Sequence, residues 1–193
     1  MCGRYHIDPE LAVEVQEIIG KNMKKLRFNE KDIFPGSKGL ILMPGNEAIV
    51  PKEIMWGFPG KDKNKLIINA RSESVLQKPM FSESLERRRC VIPARSFYEW
   101  DREKNKVTFS RNDASAIYLA GIYNRFKDED RFTILTTAAN KSVLDTHDRM
   151  PVVIEKEAIS DWLFSYERAP ELMRQTMPMF SAKKDYEQLS LDL

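Results

Sequence analysis

From residue 40 to residue 154 the chain is a succession of short apolar runs separated by polar, Pro- or Gly-bearing links. LILM at 40–43, AIV at 48–50, IMWGF at 54–58, LIIN at 66–69 and CVIP at 90–93 come first. SFYEW at 96–100, VTFS at 107–110, AIYLAGIY at 116–123, FTILTT at 132–137 and PVVI at 151–154 follow. Runs of this length, rich in β-branched and aromatic residues, suit strands and are too brief for stable helices. The opening MCGRYHI adds another by its alternation, which would set Cys2, Arg4 and His6 on one face. Helical patterns are few. Asp8 and Pro9 read as a cap and first-turn proline, and Leu11, Val15, Ile18, Ile19 and Leu26 keep helical spacing, with Lys21, Lys24 and Lys25 near the end. Shorter helices are expected at 82–89 and at 156–165, the latter turning Trp162 and Leu163 inward, while the chain after Met179 reads as polar and loosely held. Many strands and two or three helices predict a β-rich α+β single domain, not a doubly wound sheet.

Charge and rare residues narrow the function classes. Lys and Arg number 31 against 29 Asp and Glu, a net charge of +2, so a uniformly basic nucleic-acid coat is excluded while a local basic patch is not. No apolar run reaches the length of a membrane span and no signal-peptide core is present, so a soluble cytoplasmic protein is expected. With only Cys2, Cys90, His6 and His147, no disulfide framework and no metal-ligand spacing is available; neither metal nor cofactor is expected. Phosphate-binding glycine loops, HExxH and GxSxG are absent.

Four residues carry possible chemistry. Cys2 follows a removable initiator Met1, and the resulting N-terminal cysteine would place a thiol and an α-amine on adjacent carbons. With ordinary pKa values of about 8.5 and about 7.7–8.0, both nucleophiles are accessible near neutrality. Such a 1,2-aminothiol condenses with an aldehyde and closes a thiazolidine ring; a cysteine at position 2 by accident is the competing reading. Glu99, inside FYEW, is either an edge carboxylate facing water or a carboxyl packed among aromatics whose raised pKa lets it carry a proton. His147, in DTHDRMP, is either a loop hydrogen-bonding residue or a general acid–base beside Asp145, Asp148 and Arg149. Asn69 ends a β-type run with Arg71 two residues on; the pair could orient a sugar oxygen and a phosphate, or Asn69 could simply form a turn. His6 reads as structural.

MCGRY at the start, NARSE at 69–73, RRCVIPARSFYEW at 88–100, LTTAAN at 135–140 and HDRMPVV at 147–153 together resemble the ordered motifs of the SRAP family, the SOS response-associated peptidase or abasic-site-processing proteins. The resemblance implies a barrel-like antiparallel sheet core with peripheral helices. It implies an SRAP domain over 2–185 with Met1 removed, and a tail at 186–193. The implied activity is binding of single-stranded DNA and a thiazolidine crosslink between Cys2 and an abasic site, with Asn69, Glu99 and His147 as the other catalytic residues. Arg4, Arg71 and Arg149 would meet the DNA backbone, and Trp56, Met80, Phe81 and Thr136 would line the groove. A monomer in the cytoplasm, at the nucleoid when bound to DNA, goes with this reading. Schiff-base lyase chemistry and removal of the residue ahead of Cys2 by the protein itself are also implied. A self-processing cysteine peptidase and a non-covalent single-strand binder are the alternatives. Two departures stand out: Ala94-Arg95-Ser96 replaces a glycine-bearing link before FYEW, and Phe58-Pro59-Gly60 stands where a second tryptophan is common. The first predicts an altered turn before Glu99.

Overall fold

A computed structural model describes residues 2–185 apart from 22, 47, 63, 64 and 128. The expected loss of Met1 and the tail at 186–193 lie outside the described residues. In chain order the elements are β1 (Arg4–Ile7), α1 (Pro9–Ile19), β2 (Lys31–Ile33), β3 (Lys38–Pro44), β4 (Ile49–Trp56), β5 (Phe58–Pro59), β6 (Leu66–Ile67) and β7 (Asn69–Arg71). Then come α2 (Pro79–Arg87), β8 (Arg89–Ala94), β9 (Ser96–Trp100), β10 (Lys106–Ser110), β11 (Ile117–Phe126), β12 (Glu129–Ala138) and β13 (Arg149–Pro151). Helices α3 (Ile159–Phe164) and α4 (Ala169–Arg174) and strand β14 (Ser181–Lys184) complete it.

Strands β11, β8, β3, β4 and β12 pair in that order, and β12 pairs back onto β11, so five strands close into a barrel. Closure removes the free edges that a flat sheet would expose. The barrel is antiparallel except at one seam, where β12 runs parallel to β4 with Phe132 opposite Trp56. Strand β12 outruns the barrel, and its end is flanked by β7 on one side and β13 on the other: Thr136 pairs with both Arg71 and Pro151. A second, antiparallel sheet has the order β14-β10-β9-β1-β2. The buried apolar side chains form one cluster reaching from Cys2 to Phe180, with Tyr5, Trp56 and Phe132 in ring contact between the sheets. Gly39 makes that contact possible, because a Cβ there would lie 2.2 Å from the Tyr5 hydroxyl. No helix among the described residues is long and apolar enough to cross a membrane.

At its tightest crossing the chain passes between the sheets through a single residue. Arg95 links β8 to β9; its N–H donates to the His6 carbonyl at 2.8 Å and its guanidinium bonds Asp8 at 2.8 Å and Glu14 at 2.9 Å. Asp8 meanwhile caps α1 by accepting from the Leu11 N–H at 2.7 Å. The altered turn expected here does not arise from strain: Arg95 is not among the positive-φ residues, so the strand crosses between sheets without a glycine.

Other expectations are corrected. Helix α1 stops at Ile19, because Gly20 takes φ +83° and its N–H bonds the Gln16 carbonyl. Leu26 is therefore off the helix, its N–H held by the Gln16 side chain at 2.9 Å, and the three lysines lie beyond the last turn. Helix α2 begins at Pro79, three residues earlier than expected, since proline lacks only a donor the first turn does not use. The 156–165 stretch is a 3-10 turn at Lys156–Ala158 followed by α3, and α4 was not foreseen. From Phe180 to Asp185 the chain is not loose: β14 pairs with β10, and ion pairs Lys184–Asp101 (2.6 Å) and Lys106–Asp185 (2.9 Å) fix it to the sheet edge. An edge strand of this kind is polar because little of it is covered, which is why its sequence reads as a tail.

Candidate active site

Three segments distant in sequence meet at the start of β1. Cys2 is fully buried, its Sγ 3.7 Å from the Arg4 carbonyl, and its own carbonyl accepts from Asn69 Nδ2 at 2.9 Å. Asn69 reaches it because β7 is fixed on two sides. Ile134 of β12 pairs with Asn69, and the Trp56 indole donates to the Ile68 carbonyl at 3.0 Å. On the other side, the β1–β9 register pairs Arg4 with Tyr98, so one step further along brings Gly3 and Cys2 beside Glu99.

Glu99 is the packed carboxyl, not the water-facing one. It is 2% exposed, and burial pushes its pKa up from 4.5 to about 7, with a smaller push from the charge of Asp148. Burial also drives the Cys2 thiol far above its ordinary range, and the nearby Glu99 charge adds to this. The thiol is therefore protonated in the closed fold, and its activation requires a base.

His147 stands in the turn between β12 and β13. Its N–H bonds the Val143 carbonyl at 2.9 Å, and Nδ1 accepts from the Arg149 backbone N–H at 3.0 Å. Burial lowers its pKa, so the neutral ring dominates at neutral pH. With Nδ1 occupied as an acceptor, the proton belongs on Nε2, and the ring offers a donor there. The Asp148 carboxylate lies 2.8 Å from the same Nδ1, where its charge favours the protonated ring. A cleft of about 520 Å³ beside it is lined by Trp100, Arg102, Leu144, His147 and Asp148. A larger cavity, about 610 Å³ between α1 and residues 25–29, contains none of these groups.

The structure thus brings Cys2, Asn69, Glu99 and His147 into one region, while the expected DNA contacts divide. Arg71 is exposed and makes no ion pair among the described residues; Met80 is 39% exposed on the first turn of α2. Arg4 is half-enclosed by Phe34 and Trp100, at 4.5 and 5.0 Å from their ring centroids, and balanced by Asp32 at 3.7 Å. Asp32 also accepts from the Tyr98 hydroxyl at 2.9 Å and lies 2.9 Å from His6 Nδ1, which gives His6 its structural place. Trp56, Phe81 and Thr136, expected along the groove, are buried. Trp56 instead holds β7 in place; deleting such a ring costs about 3–5 kcal/mol of stability. Arg149 is also spent internally, forming a fork with Glu73 at 2.7 and 2.9 Å. Glu73, inside NARSE, was assigned no role from sequence, and nothing local to it signals a partner beyond β12. Among the described residues no group of three or more His, Cys, Asp or Glu is placed to hold a metal.

The family model described as SOS response associated peptidase (SRAP) matches residues 1–190. The chain belongs to the SRAP family. This SRAP chain is 32% identical over 201 residues to the abasic site processing protein YoaM of Bacillus subtilis, covering 94% of this chain and 87% of that one. It is 29% identical over 179 residues to the abasic site processing protein YedK of Escherichia coli, covering 84% and 79%. In fold, the SRAP chain is similar to the crystal structure of a phage-related protein from Bordetella bronchiseptica, with a TM-score of 0.78 at 23% identity over 96% of this chain and 95% of that one.

Proposed function

We propose that this protein processes abasic sites in single-stranded DNA by crosslinking to them through Cys2. The observation that carries the reading is the burial of Glu99, with a carboxyl titrating at about 7, alongside a cysteine whose backbone is tethered by Asn69. The names of the relatives YoaM and YedK, abasic site processing proteins, support the same substrate. The chemistry balances without a cofactor. The abasic sugar opens from hemiacetal to aldehyde as a proton leaves the C1′ hydroxyl and one reaches the ring oxygen, a transfer suited to Glu99. The α-amine of Cys2, free once Met1 is gone, adds to C1′, and water leaves to give a Schiff base. The thiol then adds across the C=N bond: sulfur bonds C1′, the nitrogen gains the proton, and a thiazolidine closes. Holding amine, thiol and aldehyde together makes these steps effectively unimolecular. Ring closure also drains the Schiff base that would otherwise eliminate the 3′ phosphate.

The test is incubation with a single-stranded abasic oligonucleotide, read on a denaturing gel with intact-protein mass. A heat-stable adduct is expected from the chain beginning at Cys2. None is expected from a chain whose Met1 is retained, because an amide nitrogen does not condense with an aldehyde. Equal crosslinking by mass-verified Met1 protein would overturn the aminothiol reading, and loss of a blocking segment by the protein's own action would favour the peptidase one.

Arg71 is the exposed cation nearest Asn69 in sequence, and phosphate contact is its proposed role. Arg71→Ala should weaken binding to undamaged single strand and reduce the slope of log affinity against log salt by about 0.7, as loss of one phosphate contact does. An unchanged slope in fluorescence anisotropy would remove Arg71 from the interface.

A further inference from the structure

We propose that the Glu73–Arg149 ion pair braces the site across β12, fixing the spacing of Asn69 and His147, and that Glu73 is therefore a positioning residue. The proposal rests on the function argued above and deepens it. Asn69 begins β7, on one side of β12; Arg149 begins β13, on the other. Without a cross-tie, the two candidate groups belong to strands that touch only through the last residues of β12. Glu73 lies two residues beyond β7, in a turn folded over that strand end: the Ser72 N–H donates to the Thr136 carbonyl at 2.9 Å. Arg149 donates to the same carbonyl at 2.7 Å and to both Glu73 oxygens. Thr136 is thus the node under the tie, and the paired Arg–carboxylate fork fixes direction as well as distance.

The tie ends on the imidazole. Arg149 supplies the backbone N–H that occupies His147 Nδ1, so the residue gripped by Glu73 is the one that sets the ring's tautomer. The Arg149 side chain is 12% exposed, and two of its nitrogens are already committed. A DNA phosphate at this guanidinium would compete with Glu73 for it. The contrasting reading is that Glu73 merely holds the place of a phosphate, and the two make opposite predictions.

Three measurements on the full chain separate them, with Glu73→Ala and the shape-preserving Glu73→Gln as variants and a thermal melt for each. The charges acting on the His147 ring are the amino terminus, Asp148 at Nδ1 and the neighbouring Arg149; none is altered by either variant. If Glu73 is a brace, the single-turnover adduct rate falls about tenfold or more in Glu73→Ala, as small misplacements do. Affinity for undamaged strand then stays within about twofold, the scale of a half-exposed ion pair, and Glu73→Gln falls between wild type and Glu73→Ala. In ¹⁵N spectra of the free protein, His147 should be Nε2-protonated in wild type and a mixture of tautomers in Glu73→Ala. Tighter binding to undamaged strand with an unchanged His147 tautomer would overturn the brace and make Glu73 a phosphate's placeholder. The spectrum needs no abasic DNA, so a protein that never crosslinks would fail the proposed function while the tautomer result still decides the brace.

Discussion

Cys2→Ala should abolish the heat-stable adduct while leaving binding to undamaged single strand nearly unchanged. The expectation follows from a division of labour: cationic contacts supply affinity for the backbone, and only the aminothiol supplies covalency. The substitution is also mild for the fold, since it removes one sulfur from a site that alanine fits. Cys2→Ser sharpens the test. Serine leaves the α-amine, so a labile Schiff base should form and be trapped by borohydride, although no stable ring accumulates. A heat-stable adduct from Cys2→Ala would sink the thiazolidine; absence of a borohydride-trapped product from Cys2→Ser would deny the amine its place as first nucleophile.

The second large effect belongs to Glu99. Glu99→Gln keeps the size and hydrogen-bonding reach of the side chain but cannot exchange a proton, so adduct formation should slow by ~10²–10⁴-fold. Because the thiol is held protonated by burial, the useful form of Glu99 is the carboxylate that can accept its proton. The wild-type rate should therefore rise with pH through about 7, the value to which burial lifts this group, and the inflection should vanish in the variant. Stability moves the opposite way. A carboxyl whose pKa is raised on folding, from 4.5 to about 7, binds its proton more tightly when folded than when unfolded. Its favourable contribution is complete below about 4.5 and is lost as pH climbs to about 7. By that linkage Glu99→Gln should be more stable than wild type at pH 8, by on the order of 3 kcal/mol, and the difference should shrink toward pH 5. Thermal melts across that range check the sign. Equal rates at every pH would remove Glu99 from the chemistry.

The strand content and the main chemical residues were legible because both are local signals. Short β-branched runs announce strands, Asp8–Pro9 announces the start of α1, and a cysteine at position 2 stands out in a chain with one other. Partnership is not local. Nothing in the β12 sequence says that it pairs antiparallel with β11 and parallel with β4, yet that closes the barrel. Alternation likewise shows that a strand has two faces without showing which is inward, and so the burial of Trp56 and Thr136 could not be read from their strands. Phe81 of α2 is likewise covered, against Phe58. The Glu73–Arg149 tie joins residues 76 apart, a separation at which no local pattern marks a partner. Arg95 shows the reverse case. A substitution that seemed to threaten the approach to Glu99 instead gives the link a side chain that grips Asp8 and Glu14 on the opposite sheet's helix.

Strand β1 lies inside its sheet, between β2 and β9, and its cysteine is tethered to a residue 67 positions downstream. Such contacts give the chain a high contact order at the very end that leaves the ribosome first. One edge of the opening strand can pair with β2 early, but the other must wait until Ser96–Trp100 has been synthesised and folded against it. During that interval Cys2 is open to solvent, whereas in the finished fold it is fully buried. The first strand to be synthesised is thereby among the later ones to be enclosed, an order set by topology and not by position in the chain.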